Sequence, residues 1–258
     1  MDIQPGAFED RVALVTGATS GIGAACARML AARSAGVMLT GRDLDRGREI
    51  VRAIRAEGGQ AEFVGGDLCE LNFCDQLVED CLARFDGLDI LVNNAGIALA
   101  ASAPETTDAA WEAILDTNLG AAFRLSRAAL RPMLGQRSGA IVNVASDLGL
   151  VGGTRAVAYC ASKGGLILLT RAMALDHARD GIRINAVCPT DTDTPMMRSE
   201  FQQRGITAEN GIRESIADIP MGRMADPEEV AEAVCFLVSD AARFLTGVAL
   251  PVDGGATA

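Results

Sequence analysis

Short aliphatic and β-branched runs alternate along this chain with longer amphipathic stretches. Val12-Ala13-Leu14-Val15-Thr16 is the first such run, a helical pattern from about Ile22 to Arg33 follows it, and Val37-Met38-Leu39-Thr40 returns to strand. That order is the beginning of a βαβ unit. Further runs at Ala61 to Val64, Ile90 to Asn93, Ala140 to Val144, Ile182 to Val187 and Val248 to Val252 are each set apart by a helix-length segment. Seven strands joined by helical crossovers predict an α/β fold: one doubly wound parallel sheet with helices on both faces. Asp226-Pro227-Glu228-Glu229 reads as a capped helix start leading into Val230 to Val238, with Pro at N1 and acids in the first turn. No linker, repeat or low-complexity stretch divides the chain, so residues 1–258 are expected to form one domain. The one long irregular stretch, Pro189 to about Pro220, is expected to be a lid or binding loop.

Composition narrows the function. Acidic residues number 34 and basic ones 23, a formal charge of -11, and such a surface repels phosphate backbones and anionic lipid. Neither nucleic acid nor a membrane is an expected partner. No apolar run approaches the ~20 residues that a spanning helix needs. The stretch Met1 to Asp10 has acids where a signal peptide has bases, so a cytoplasmic protein is expected. The seven cysteines form no CxxC pair and His177 is the only histidine. A disulfide framework, a metal site and a Ser-His-Asp triad therefore have almost nothing to be built from.

A sharper signal lies in two residues that each occur once. Tyr159 is the only tyrosine, and Lys163 is the only lysine against 22 arginines. Arginine serves wherever charge alone matters, so the lone lysine stands out: an ammonium approaches a phenol as a compact point charge and can shift its pKa. Four residues apart, the two share one helix face. Directly after the first strand, Thr16-Gly17-Ala18-Thr19-Ser20-Gly21-Ile22-Gly23 opens a helix. Glycines there allow a tight turn and close backbone approach to a pyrophosphate, and the helix N-terminus binds its charge. After the second strand come Gly41 and Arg42, with no acid to take ribose hydroxyls and a guanidinium able to take a 2′-phosphate. NADP is favoured over NAD; pairing of Arg42 with Asp43 or Asp45 would be the structural alternative.

With that turn, the Tyr159/Lys163 pair and Asn93-Asn94-Ala95-Gly96 in view, the chain resembles the short-chain dehydrogenase/reductase family over Arg11 to Gly255. The resemblance implies the Rossmann fold and a catalytic set of Asn118, Ser146, Tyr159 and Lys163. For the cofactor it implies the turn residues Gly17, Thr19, Ser20, Gly21, Ile22 and Gly23, together with Arg42. It places Asp67 and Leu68 at the adenine and Asn93, Ala95 and Gly96 beneath the cofactor. Pro189, Thr192 and Thr194 are implied at the nicotinamide, and the pair Tyr159 and Lys163 reaches it too. A homotetramer is the family's usual assembly. Thr190 stands where the family commonly has glycine. The Tyr-Lys spacing of four and the intact serine do not suit the enoyl reductases of the same superfamily.

Those roles have a physical basis. Hydride exchange at a carbinol carbon needs a proton to move at the same oxygen, and a phenol near its ordinary pKa of ~10 is a poor base at neutral pH. The Lys163 ammonium one turn away is expected to lower the Tyr159 pKa. Ser146 would hold the substrate oxygen, and Asn118 could order a water that relays the proton. Met196 and Met197, followed by Phe201 and Ile206, would cover the substrate, with Ile97 and Leu148 lining the pocket from the strand ends. Methionine adapts to irregular apolar shapes, so the expected substrate is a small, moderately hydrophobic secondary alcohol or ketone. Arg155, four residues before Tyr159, could meet an anionic substrate group. Arg124, Arg127 and Arg131 recur at helical spacing and could dock an acidic acyl carrier protein, giving a 3-oxoacyl reductase as the second reading. A third is a dinucleotide sensor without catalysis.

Overall fold

The computed structural model describes residues 6–258; the first five residues of the Met1 to Asp10 stretch lie outside them. Seven strands form one all-parallel sheet in the order β3-β2-β1-β4-β5-β6-β7. They are β1 Val12–Thr16, β2 Gly36–Gly41, β3 Gln60–Gly65, β4 Ile90–Asn93, β5 Gly139–Val144, β6 Ile182–Pro189 and β7 Ala249–Val252. The helices are α1 Gly21–Ala32, α2 Leu44–Ala56, α3 Phe73–Phe85, α4 Asp108–Leu115, α5 Ala121–Gln136, α6 Val157–His177, α7 Pro195–Gln203, α8 Ala208–Ala217 and α9 Pro227–Val238. The sequence runs coincide with the strands to within two residues at either end. This is the expected Rossmann sheet.

Strand parity decides which side chains support which layer. Ala13 and Val15 of β1 pack with α1, α2 and α9 in one core, while Val12 and Leu14 pack with α3, α5 and α6 in the other. Both faces are dry, so the strands read as unbroken apolar runs rather than alternating ones. β1 lies between β2 and β4; the chain first winds outward to β3 and then crosses back to β4. Open α/β sheets take their ligands at the carboxyl ends of strands flanking such a reversal.

The stretch 189–220 is not irregular. It contains α7 and α8, each opened by a threonine cap: the Thr194 hydroxyl accepts from the Met197 amide and that of Thr207 from the Asn210 amide. Phe201, expected to face the substrate, is 2% exposed and packs against Gly211 of α8 instead. It is the small core of this helical pair. The Asp226 start is as expected, a capping box with Glu229 at the head of α9.

Candidate active site

At the end of β1 the chain turns through Gly17, at φ +60°, into α1, whose first residue Gly21 sits at φ +52°. A Cβ on Gly23 would lie 2.4 Å from the Gly17 carbonyl oxygen and 2.5 Å from Asn94 Nδ2, so the turn closes to this radius only with glycine there. Ser20 caps α1 without any side-chain hydrogen bond and no acid occupies the first turn, unlike α2, where the Asp43 carboxylate accepts from the Arg46 amide. The amides at the start of α1 are thus left facing outward with the positive end of the helix dipole behind them. Thr19 packs its methyl over Gly41. Arg42, one residue on, is exposed. Asp43 pairs with Arg46 and Asp45 with Arg48, so neither takes Arg42. Thr194 stands against Gly21, its Cγ2 3.0 Å from where a Cβ would be.

Thr16 fixes the neighbouring strand end. Its hydroxyl accepts from the Asn94 and Ala95 amides, both at 2.9 Å, and Asn94 Nδ2 donates to the Thr16 carbonyl at 2.9 Å. Asn93, expected at the cofactor, instead points its side chain into the sheet's interior. Nδ2 donates to Ser126 Oγ of α5 at 2.9 Å and to Asn143 Oδ1 of β5 at 2.8 Å, and Asn143 passes the chain on to Thr170 of α6. Asn93 shares the face of Leu91, which packs on α5 and α6. Asn93→Ala strips the donor from two buried acceptors, each costing about 1–3 kcal/mol. Its urea midpoint is expected to fall well below the parent's with m unchanged.

Ser146 follows β5, and Tyr159 and Lys163 lie two and six residues into α6. Lys163 is 4% exposed and donates to the Val144 carbonyl at 2.7 Å; its Nζ lies 5.5 Å from the Tyr159 ring centre. Burial lowers the Lys163 pKa to about 8. The Tyr159 pKa is raised, not lowered: burial dominates, the Ser146 hydroxyl opposes it, and Asp147, Glu200 and Asp191 reinforce it. The spacing of four does bring ammonium and phenol together. Desolvation of the phenolate outweighs that in the chain by itself.

Asn118 sits in a π-helical turn, Asp116–Gly120, between α4 and α5, a rare irregularity that clusters at functional sites. Its Oδ1 accepts from the Ile97 amide at 2.8 Å, and Nδ2 donates to the Ile97 carbonyl at 2.9 Å and to Ser162 Oγ at 3.0 Å. Both amide hydrogens are committed, so the side chain positions the 96–97 backbone. Ile97 is accordingly held by its backbone and does not line the cavity. Gly96 closes the gap between them: a Cβ there would sit 3.2 Å from Asn118 Oδ1 and 3.6 Å from Lys163 Nζ.

Tyr159 opens onto a cavity of about 820 Å³ that reaches from Ile22 to the inner side of α7 and α8. Leu148, Met196 and Met197 line it, as do Gly96, Lys163, Pro189, Thr192 and Thr194. Asp67 and Leu68 lie outside it, after β3; the Asp67 carboxylate accepts from the Cys69 amide and the Leu68 carbonyl from Arg124. Arg155 lines the mouth, but it precedes α6 and pairs with Glu105 at 2.9 Å, so it does not stand one helical turn above Tyr159. Ile206 is not among the lining residues. Five acids are: Asp147, Asp191, Glu200, Glu214 and Asp218. Burial raises the pKa of both Asp191 and Glu200. Sequence reasoning missed all five, although Asp147 and Asp191 fall where strands β5 and β6 end. Among the α5 arginines, Arg124 pairs with Asp116 and Arg131 with Asp75, while Arg127 stacks on Phe123.

Sheet order, glycine turn and a phenol–ammonium pair at the strand ends define an oxidoreductase on a Rossmann sheet. Comparison with known proteins agrees. A family model described as Enoyl-(Acyl carrier protein) reductase matches residues 17–257. The chain is 44% identical to Cis-4-hydroxycyclohexanecarboxylate dehydrogenase of Sinomonas cyclohexanicum over 98% of both chains. It is 41% identical to Cyclopentanol dehydrogenase of Comamonas testosteroni over 98% of this chain and 99% of that one. Among solved structures it is similar to a single-residue variant of actinorhodin polyketide ketoreductase with NADPH, at TM-score 0.91 and 36% identity over 95% of this chain and 97% of that one. The chain belongs to the short-chain dehydrogenase/reductase family.

Proposed function

We propose that this oxidoreductase moves a hydride between a nicotinamide dinucleotide and a small secondary alcohol or its ketone, with Tyr159 as the general acid and base. One observation carries the reading: Tyr159 and Lys163 line a single cavity that extends to Ile22 at the head of α1, and the Ser146 hydroxyl is in hydrogen-bond reach of Tyr159. The residues fit a dinucleotide. A cradle that a Cβ at Gly23 would fill, uncapped amides at the head of α1 and the exposed guanidinium of Arg42 suit a pyrophosphate and a further phosphate. A bound nicotinamide supplies the site that gives or takes the hydride.

The chain's own residues handle the proton. In oxidation Tyr159 Oη accepts the carbinol proton as the C–H electron pair leaves carbon; in reduction it returns that proton to the carbonyl oxygen. Burial opposes the phenolate, so cationic charge beside the ring has to offset it. Lys163 spends one of its three donors on Val144, which leaves two for ribose hydroxyls. Asn118, through Ile97, fixes the backbone below.

The substrate wall is mixed: beside Leu148, Met196 and Met197, the five carboxylates outnumber Arg155 and Arg204, which are paired with Glu105 and with Glu200 and Glu214. That lining favours an uncharged alcohol or ketone over a carboxylate. Incubation with NADPH and a panel of ketones, read as loss of reduced-nicotinamide absorbance, is expected to show turnover. Tight dinucleotide binding with no turnover in either direction would make the protein a sensor. Tyr-Lys spacing and Ser146 favour carbonyl over carbon-carbon double-bond reduction. The carrier-protein reading retains only Arg127 of its three arginines.

NADP is the preferred cofactor because Arg42 has no ion-pair partner among the described residues. A charge-assisted contact of this kind is worth roughly 1.5–3 kcal/mol, so Arg42→Ala is expected to raise the KM for NADPH tenfold or more and leave that for NADH nearly unchanged. Equal effects on the two would remove the arginine from cofactor choice. Leu168 and Leu175 on α6, 64% and 83% exposed, support assembly through that helix; a tetramer in sedimentation is the expected result.

A further inference from the structure

Asp147 does more than line the cavity. Its Oδ1 accepts the Ser146 hydroxyl at 2.8 Å and the Leu148 amide at 2.7 Å, while Ser146 Oγ accepts from the Leu148 amide at 3.1 Å. A hydroxyl has one hydrogen and two lone pairs. The hydrogen goes to Asp147 and one lone pair to Leu148, so the lone pair that remains is the one Ser146 turns toward the Tyr159 hydroxyl and the substrate oxygen beside it. Resting on the roles of Tyr159 and Ser146 argued above, we propose that Asp147 is a positioning residue. It holds Ser146 as a hydrogen-bond acceptor, so that the site receives the hydroxyl of an alcohol more readily than the oxygen of a ketone.

A ketone oxygen needs donors, and with Ser146 turned away only the Tyr159 hydroxyl is available. An alcohol hydroxyl needs an acceptor, and Ser146 Oγ is one. The same arrangement bears on Tyr159. To hydrogen-bond a phenolate, Ser146 must take its hydrogen back from Asp147. The charged groups facing that phenol are Lys163 from α6, Asp147 after β5, Asp191 after β6 and Glu200 from α7. Removing Asp147's charge both frees the serine hydrogen and removes one of three carboxylates that disfavour the phenolate.

The test uses the full chain with NADP+ and cyclopentanol, and NADPH and cyclopentanone, for the parent, Asp147→Asn, Asp147→Glu, Ser146→Ala and the Ser146→Ala/Asp147→Asn double variant. In Asp147→Asn the ratio of ketone KM to alcohol KM is expected to fall up to about tenfold, the worth of one hydrogen bond between neutral groups. The rise of kcat/KM for oxidation with pH moves to lower pH. Asp147→Glu keeps the carboxylate and with it most of the parent's ratio. In the Ser146→Ala background the KM effect of Asp147→Asn disappears, because the action passes through the serine.

A ratio that falls as far in the Ser146→Ala background, or a pH profile that superimposes on the parent's, overturns the proposal. A Tyr159→Phe control keeps the two levels apart. An inactive control with an unmoved Asp147→Asn profile defeats the Asp147 assignment alone. An active control, or a parent inert on both probes, defeats the reading of the site and this inference with it.

Discussion

Replacing Tyr159 by phenylalanine is expected to lower kcat about a thousandfold in both directions while dinucleotide affinity stays close to the parent's. The loss is that of a positioned proton carrier, typically worth 10²–10⁴. Phenylalanine keeps the ring that packs in the cavity and removes only the atom that exchanges the proton. Tyr159 is the only tyrosine, so no second phenol can substitute. Stopped-flow measurement of hydride transfer separates this loss from slow product release, and fluorescence titration with NADPH checks binding. Retention of a tenth or more of the parent's rate would mean that another group moves the proton.

Gly23→Ala is expected to damage binding as Tyr159→Phe damages chemistry. The added methyl meets the Gly17 carbonyl oxygen at 2.4 Å, and the nearest side-chain atom, Asn94 Nδ2, is itself tied to the carbonyls of Thr16 and Gly17. Neither can withdraw without opening the turn. Overpacking of this kind costs about 1–3 kcal/mol, and the displaced amides are those that suit the pyrophosphate. Dinucleotide affinity is expected to fall about a hundredfold, read by isothermal titration, with a lowered Tm in the free protein. Gly58→Ala is the control: at φ +87° it is strained, but nothing lies within 4 Å of the added carbon, so Tm drops with binding unchanged. Parent-like affinity in Gly23→Ala would refute the placement of the phosphates.

The sheet was legible because its strands are buried on both faces and therefore read as unbroken apolar runs. Parity along β4 was legible too: Asn93 falls in step with Leu91, toward α5 and α6, and that count argues against a cofactor contact through its side chain. α7 and α8 were harder to see. They are short, polar and held mainly by Phe201, and only the threonine caps at Thr194 and Thr207 announce them. Asp147, Asp191 and Glu200 entered the net charge but not the site, since their convergence depends on how two strand ends and a helix meet. The direction of the Tyr159 shift was not readable from spacing, because position four delivers a neighbouring cation but says nothing of how much water the fold removes.

Thr194 is wedged against Gly21, so the helical pair over the cavity is rooted at the very turn where the first helix begins. Movement at that root would disturb the glycine turn as well. Beyond that root, the Phe201 contact with Gly211 and the Arg204–Glu214 ion pair tie α8 to α7. The wall over the substrate and the turn that suits the pyrophosphate are therefore braced as one piece.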